Sequence, residues 1–264
     1  VSIVNGITHY QANCVSCHGA GGLGDGIEAA ALPKPPADLS APHTALHTAG
    51  DMYWWLTHGI PDSGMPPLNN ALSEQDRWDV INFLRAFSLG YEARFLSARI
   101  SPGKPWLGAP NFYYENRDGQ PWQLKDFRDQ SNVLLVFIKN DDQQVIDRLN
   151  KLAVAQAGLV VIVVSENNLA NLSPKIMHIQ NAAGEIRTAY GLLSRTLSNR
   201  GDGARIELER SHMEFLIDRF GYIRARWIPG DEAGGWSDSA FLMQQVTALS
   251  AEPRILQPPD DHVH

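Results

Sequence analysis

The sequence predicts two successive domains, the first built of helices alone and the second built of strands and helices. Up to about residue 90, apolar residues recur at helical spacing, as in Ile3, Ile7 and Tyr10. Beyond residue 107 the pattern changes to two continuous apolar runs, at 133–138 and 159–164, which are typical of buried central strands. The chain of 264 residues is long enough for two cores, since single cores become less common at this size.

A stretch rich in residues that interrupt regular structure, Ser-Pro-Gly-Lys-Pro at 101–105, separates the two patterns. We therefore predict an all-α domain at 1–90, a linker at 91–106, an α/β domain at 107–252 and a tail at 253–264. The elements predicted for the α/β domain form a sheet with helices on both faces. They are strands at 111–114, 121–124, 133–138 and 159–164, a helix at 142–157, a hairpin at 215–227 and a closing helix at 237–249.

Charge and hydropathy indicate which kinds of partner, among nucleic acids, proteins and membranes, the chain can bind. The formal net charge is −7 and no basic stripe is present, which excludes a nucleic-acid partner. Up to Gly90, three basic residues face eight acidic ones, so we expect a partner protein with a basic docking patch. No apolar run could span a bilayer, and Val1 begins no signal-peptide pattern. We therefore expect a soluble, mature or excised piece, whose full gene product can include a membrane-embedded part.

Residues 14–18 read Cys-Val-Ser-Cys-His, which is the attachment sequence for c-type haem. Two thiols three positions apart can each form a thioether with one porphyrin vinyl group, and the adjacent imidazole can bind the iron. A bare Cys-x-x-Cys would also fit a dithiol pair or half a zinc site, but the chain has only these two cysteines. The motif predicts one covalent haem c, held by Cys14, Cys17 and His18, in a protein of the periplasm.

The second axial ligand must come from further along the chain. Met65, in the Pro-rich sequence Ser-Gly-Met-Pro-Pro-Leu, is the main candidate, because a thioether ligand raises the haem potential and suits electron transfer. His43, His47 and His58 are the rivals, and an open site is the third alternative. The Gly-rich stretch at 19–26 has little bulk of its own, so we expect it to fold against the cofactor.

Residues 3–88 resemble a small monohaem cytochrome c domain. The resemblance rests on the N-terminal helix, Cys-Val-Ser-Cys-His-Gly, Gly-Met-Pro-Pro, and a final helix that begins after Ser73 and carries aromatic residues. It implies electron transfer through a mostly buried haem with one exposed edge.

Residues 107–250 resemble the thioredoxin-like fold in its thiol-disulfide reductase and peroxiredoxin branch. The resemblance rests on Ala-Pro-Asn-Phe at 109–112, Ala-Tyr-Gly at 189–191, and Phe-Leu-Ile-Asp at 215–218 followed by Gly221. The family's dithiol is missing, because Asp142 and Val145 stand where its cysteines would align, and no cysteine follows Cys17. Thiol-dependent activity is therefore excluded in this second domain. His212 or Met213 stands where the family has a cis-proline.

Soft donor side chains in the second domain suggest a copper site as an alternative role. Thioether and imidazole groups suit copper in an oxidising compartment. The order of the two domains is similar to that of the soluble tail of copper-resistance D-type membrane fusions. The donors considered are His178, His212 and Met213, with Met177, Asp142, His262 and His264 as further members.

Three functions follow from these patterns. The first is electron transfer by haem c, with the second domain as scaffold or docking module and no catalytic residue. The second is a copper-binding or copper-redox module coupled to the cytochrome. The third is a peroxidase-like haem enzyme, which requires an open or displaceable iron site. Ligation by Met65 favours the first.

Overall fold

A computed structural model describes residues 2–103, 107–115, 119–155, 158–194, 210–230 and 234–254. These residues form two compact units. The described part of the first unit comprises 2–94 and 188–194, and that of the second comprises 95–187 and 210–254 with the gaps given above. Residues 116–118 between the first two predicted strands, part of the linker, and the tail from 255 with its two histidines lie outside the described residues.

The first unit is helical, as predicted, and two of its helices begin with capping boxes. Thr48 and Ser73 each accept a backbone N–H through the hydroxyl, while Asp51 and Asp76 accept the N–H of the cap residue. Both acids lie in the first turn, where the helix dipole favours negative charge. The α-helices of this unit are α1 (Ile3–Asn13), α2 (Val15–His18), α3 (Ala49–His58) and α4 (Glu74–Glu92).

Helices α1 and α4 cross at Gly6. A Cβ atom added to Gly6 would lie 2.2 Å from the backbone oxygen of Asp79, so only glycine permits this approach. One turn further along α1, the Tyr10 ring contacts Phe83 at 5.2 Å between centroids, and Phe83 contacts Phe87 at the same distance. All three aromatic rings are buried. The crossing therefore forms the centre of the first unit's hydrophobic core.

The Asp79 carboxylate is buried at the same crossing, and N–H groups of both helices surround it. It accepts hydrogen bonds from the Ser2 backbone N–H at 2.7 Å, from Asn5 Nδ2 at 2.6 Å and from Gln75 Nε2 at 3.0 Å. Because a buried carboxylate without partners would be costly, these three donors let it join the start of α1 to α4.

The second unit contains a six-stranded sheet with strand order β1-β8-β7-β4-β5-β6. Central strand β4 is buried at every position, as its continuous apolar run predicts. It pairs in parallel with β5 and antiparallel with β7, and β7 continues into β8 through the predicted hairpin. The strands are β1 (Leu107–Gly108), β4 (Asn132–Ile138), β5 (Leu159–Val164), β6 (Met177–Ile179), β7 (His212–Ile217) and β8 (Tyr222–Trp227); β2 (Tyr113–Glu115) and β3 (Pro121–Gln123) form a separate pair.

Helices cover both faces of this sheet. Leu134 and Val136 belong to one apolar cluster together with residues of α5 (Gln143–Ala155) and α7 (Ser239–Ala251). Phe137 points to the opposite face, and there Arg187 of α6 (Ala183–Gly191) lies over its ring at 5.7 Å. The predicted fold class, a helical domain followed by an α/β domain of thioredoxin-like strand order, is therefore confirmed. Within the described ranges, no helix is long and apolar enough to cross a membrane.

A charged network is buried between β7 and α5. Glu214 is fully buried and forms an ion pair with Arg148 and a 2.7 Å contact with His212 Nε2. Burial alone would raise the pKa of the Glu214 carboxyl, but the charge of Arg148 and the hydrogen bond of His212 outweigh it and lower the pKa. Arg148 also lies over the Trp227 ring at 5.5 Å and donates to the Trp236 carbonyl at 3.0 Å. This network holds α5 against the sheet.

The helix crossing predicts a specific sensitivity in the first unit. We expect Gly6→Ala to lower the free energy of unfolding by about 1–3 kcal/mol, because the added methyl group overpacks against the backbone of α4. Gly50→Ala in α3 is the matched control, since its Cβ would have no neighbour nearer than 3.6 Å. Urea unfolding followed by circular dichroism compares the two, and equal midpoints would contradict the interpretation.

The charged network predicts a corresponding sensitivity in the second unit. Glu214→Gln leaves the Arg148 guanidinium buried without a carboxylate, and we expect a loss of about 3–5 kcal/mol in unfolding free energy. Asp147→Asn makes the same chemical change at an exposed position of α5 and should leave stability nearly unchanged. Denaturant titration of both variants measures the difference. An unaltered midpoint for Glu214→Gln would show that the network contributes nothing.

Candidate haem site

The predicted haem-attachment residues form a single helical turn that directly follows α1. Cys14 stands between α1 and α2, and its carbonyl accepts the backbone N–H of Cys17 at 3.2 Å and of His18 at 2.8 Å. The chain then leaves the helix at Gly19, with φ +75°. Cys14, Cys17 and His18 all line one cavity of about 330 Å³. The motif therefore has the local geometry that its spacing predicts.

The His18 side chain is oriented by the backbone of a distant segment. Its Nδ1 atom lies 3.1 Å from the Ala37 carbonyl oxygen. In the Nδ1–H tautomer this nitrogen donates to the carbonyl, and Nε2 keeps a lone pair for a metal. Burial lowers the pKa of the imidazole, against a smaller opposing effect of the Ala37 hydrogen bond. His18 is therefore held neutral and oriented, which is the form that coordinates iron.

Both cysteines carry free thiols beside the cavity. Burial, followed by the nearby Cys17, raises the pKa of the Cys14 thiol to about 12, so Cys14 is uncharged at neutral pH. Cys17 lies closer to solvent, with its sulfur 3.7 Å from the Glu28 carboxylate. Two reduced thiols at one edge of an apolar cavity are what thioether formation with a porphyrin requires.

Met65 reaches the same cavity from the loop that follows α3. Gly59 ends the helix with φ +72°, and a Cβ atom there would lie 2.6 Å from the Met65 carbonyl oxygen. The Ile60 N–H donates to that carbonyl at 3.1 Å. Met65 is half-buried against the core of the first unit. The fold thus brings the thioether and the imidazole of His18 to one cavity.

The three rival histidines differ in position. His43 and His47 also line the cavity, with their rings 4.4 Å apart, and His47 contacts the Trp55 ring at 4.8 Å. His58 does not line it. Its Nδ1 atom is 3.1 Å from the Trp54 carbonyl and its ring lies 3.8 Å from the Trp54 ring. His43 and His47 therefore remain near the cofactor site, whereas His58 belongs to the outer surface of α3.

The cavity's chemistry fits haem c. Its wall is mainly aliphatic and aromatic, which suits a flat apolar macrocycle, and Lys34 is the one lining residue with a permanent charge among the described residues. Thiols, an imidazole and a thioether complete the donor set that a covalent, six-coordinate haem needs. The apolar lining includes Leu32, Leu39, Met52, Trp55, Leu56 and Leu68.

The Gly-rich stretch at 19–26 contributes no residue to the lining of the cavity, and its glycines contact other parts of the protein. A Cβ atom at Gly24 would lie 2.4 Å from the Pro36 oxygen, and one at Gly26 would lie 2.3 Å from the Ser16 oxygen. The glycines therefore permit close contacts between backbones. Gly24 meets the segment that carries Ala37, and Gly26 meets the helical turn that carries Cys17.

The predicted copper donors lie apart from one another. His212 and Met213 are neighbours on β7 and face opposite sides of the sheet, with His212 bound to Glu214 and Met213 fully buried. His178 lies on β6, three strand positions from β7, or roughly 14 Å at about 4.8 Å per strand. In the described part of the chain, no group of three or more His, Cys, Asp or Glu side chains could hold a metal ion.

Asp142 and Val145, the two residues that the sequence comparison places where a dithiol was expected, both have structural contacts. The Asp142 carboxylate accepts the backbone N–H groups of Gln144 at 3.0 Å and Val145 at 3.3 Å, so it caps the start of α5. Val145 packs at the edge of the sheet's apolar cluster. Asp142 and Val145 therefore stabilise the helix. Met177, another of the copper donors considered, accepts a hydrogen bond from the Tyr114 hydroxyl through its sulfur at 3.1 Å.

Two residues of the site escaped the sequence analysis as site residues. Ala37 contributes only its carbonyl, and a backbone atom leaves no signal in a sequence. Tyr10 lines the cavity and donates from its hydroxyl to the Gly19 carbonyl at 2.7 Å. Its helical spacing predicted burial, but only the fold shows that the buried face meets the cavity.

Several solved structures resemble part of the chain at low sequence identity. A putative thiol:disulfide interchange protein DsbE from Chlorobium tepidum is 19% identical, with 55% of this chain and 97% of that chain covered at a TM-score of 0.37. Prx1a from Plasmodium yoelii is 19% identical over 55% and 90%, with a TM-score of 0.39. Yeast Sco1 with copper bound is 16% identical over 61% and 100%, with a TM-score of 0.37.

The search of curated proteins found no match to this chain. Against protein families, residues 3–88 match the model described as Cytochrome c. That range contains the whole cavity described above, from Tyr10 to Leu84. The cavity, its set of donor side chains and the family match agree, and residues 3–88 therefore form a cytochrome c domain.

Proposed function

We propose that this chain is an electron-transfer protein with one covalent haem c in its first unit. The observation that carries the proposal is the convergence of Cys14, Cys17, His18 and Met65 on one apolar cavity. The two cysteines would anchor the group through thioether bonds, and His18 and Met65 would supply an imidazole and a thioether to its iron. Once bound, haem c supplies a one-electron iron couple.

The geometry favours an electron carrier over a peroxidase-like enzyme. An enzyme of that kind needs a free or easily displaced iron position, whereas Met65 belongs to a loop tied back by the Ile60 N–H. A thioether ligand also raises the haem potential, which suits electron transfer. The mainly apolar wall of the cavity would limit the access of water to a bound iron.

The second unit acts in this proposal as a scaffold or docking module. No cysteine follows Cys17, so the second unit has no thiol to oxidise or exchange. Its predicted copper donors are spread over different faces and strands, and we therefore propose no metal chemistry for it.

We further propose that the protein works in the periplasm with a redox partner that carries a basic patch, and that this partner can be a membrane-embedded part of the same gene product. The charge of the first unit supports such a partner, since residues up to Gly90 carry three basic and eight acidic side chains. Glu28 is exposed, and its carboxylate lies 3.7 Å from the sulfur of Cys17, a residue that lines the cavity.

Optical spectroscopy tests the proposed ligation. We expect the oxidised, haem-loaded protein to be low-spin and to show the long-wavelength sulfur-to-iron band, and Met65→Ala to abolish that band because the thioether is lost. His58→Ala, outside the cavity, should retain it. A high-spin or bis-histidine spectrum in the unmodified protein would refute Met65 as ligand and would favour ligand-binding or peroxidase chemistry.

The dependence of electron transfer on salt tests the proposed partner. With a small basic redox protein as acceptor, we expect the bimolecular rate to fall about tenfold as ionic strength rises from about 10 to 200 mM, because salt screens the attraction. Glu28→Gln should make the dependence shallower, while Asp147→Asn on α5 should leave it unchanged. Stopped-flow mixing measures the rate, and a rate that rises with salt would contradict an acidic docking surface.

A further inference from the structure

The loop that carries Met65 is closed by an incomplete backbone ladder. Ile60 and Met65 pair as an isolated antiparallel bridge, in which the Ile60 N–H donates to the Met65 carbonyl at 3.1 Å. In a complete hydrogen-bonded pair the two residues exchange both bonds, so the Met65 N–H would donate to the Ile60 carbonyl. Here it donates to the Ser63 hydroxyl oxygen at 3.1 Å.

The Ser63 hydroxyl supplies the missing half of the bridge. It accepts from Met65 and donates to the Ile60 carbonyl at 2.8 Å. The Ser63 backbone N–H also points to that carbonyl, at 3.3 Å. The second connection between Ile60 and Met65 therefore passes through one hydroxyl group, which acts as acceptor and donor at once.

The backbone of this loop needs such a closure. Gly59, Asp62 and Gly64 have φ values of +72°, +60° and +87°, all in the left-handed region that L residues avoid. A Cβ atom at Gly64 would also lie 2.8 Å from the Leu32 side chain, so the loop is pressed against the cavity wall. A loop of this shape holds one conformation only while its hydrogen bonds are intact.

We propose that Ser63 is the positioning residue for the Met65 thioether, and that its hydroxyl sets how firmly Met65 is held at the iron against competing ligands. This inference rests on the proposed function, since it requires Met65 to be the distal ligand. Ser63 does not itself bind iron. It acts by keeping the loop in the one conformation that delivers the sulfur to the cavity.

A consequence is that external ligands compete with the Met65 thioether for the iron, and this competition can be measured. An external ligand such as imidazole binds ferric haem only when Met65 has left, so its apparent affinity reports how often the position is open. Loss of the Ser63 hydroxyl removes two hydrogen bonds that exist only in the closed loop. The open fraction should rise, and imidazole should bind more tightly.

The experiment is an imidazole titration of the full, haem-loaded ferric protein. We expect Ser63→Ala to bind imidazole about tenfold more tightly than the unmodified protein, a difference of about 1.4 kcal/mol, and to lose part of its sulfur-to-iron band. Ser63→Thr keeps the hydroxyl and should restore both readouts to within about twofold. Thr8→Ala removes an exposed hydroxyl from α1, far from the loop, and should change neither.

The possible outcomes distinguish a failure of the Ser63 role from a failure of the proposed Met65 ligation. If Met65→Ala binds imidazole more tightly than the unmodified protein but Ser63→Ala does not, Met65 is the ligand and the role of Ser63 is refuted. If Ser63→Ala lowers the thermal midpoint without changing imidazole affinity, its role is structural only and the inference also fails. If Met65→Ala changes neither the band nor the affinity, the proposed ligation itself is wrong.

Discussion

The close crossing of α1 and α4 at Gly6 is the constraint on which the haem site depends. Because Gly6 has no side chain, α1 approaches the Asp79 carbonyl, and Tyr10 then packs against Phe83. From that position the Tyr10 hydroxyl holds the Gly19 carbonyl, directly after the turn that carries His18. A contact between two helices thus determines where the haem-attachment turn lies. Functional groups placed on rigid elements in this way need little reorganisation when they bind.

The two axial candidates are held by different physical means. His18 lies on a helical turn next to α1, and one carbonyl, that of Ala37, orients its ring. Met65 lies on an irregular loop with left-handed residues, closed by the hydrogen bonds of Ile60 and Ser63. A helical turn is stabilised by its own backbone, whereas such a loop depends on each of a few bonds. The turn that carries His18 is therefore the more stable of the two segments, and the loop that carries Met65 is the one whose conformation sequence changes can alter more easily.

Local patterns predicted the parts of the molecule whose causes are local. The spacing of Cys14, Cys17 and His18 identified the attachment turn, Ser73 and Asp76 identified the start of α4, and the apolar run of β5 matched the strand residue for residue. Successive side chains of a strand point to opposite faces of the sheet. This rule already predicts from the sequence that His212 and Met213, as neighbours on one strand, cannot both bind the same copper ion.

Other features have causes that are distant in sequence. Leu192 is buried in the first unit's core although it follows strands and helices of the second unit in the sequence. The short elements β6 and α6 were not predicted from the pattern of apolar residues. Ala37 acts through its backbone carbonyl, which the sequence does not reveal. The glycines at 19–26 were expected to fold against the cofactor, and the contacts that the structure gives for Gly24 and Gly26 are with the backbone of Pro36 and Ser16. A sequence shows that space is needed, whereas only the fold shows what occupies it.

In the second unit, polar side chains fix the position of α5 on the sheet. Asp142 caps the start of α5, and Arg148 and His212 contact the buried Glu214 carboxylate on β7. A buried ion pair adds little net stability over an apolar core, but it penalises every arrangement in which one charge loses its partner. The network therefore favours one packing of α5 on the sheet. The scaffold or docking role proposed for this unit would need such a fixed packing, because a docking surface keeps its shape only while the helix beneath it keeps its position.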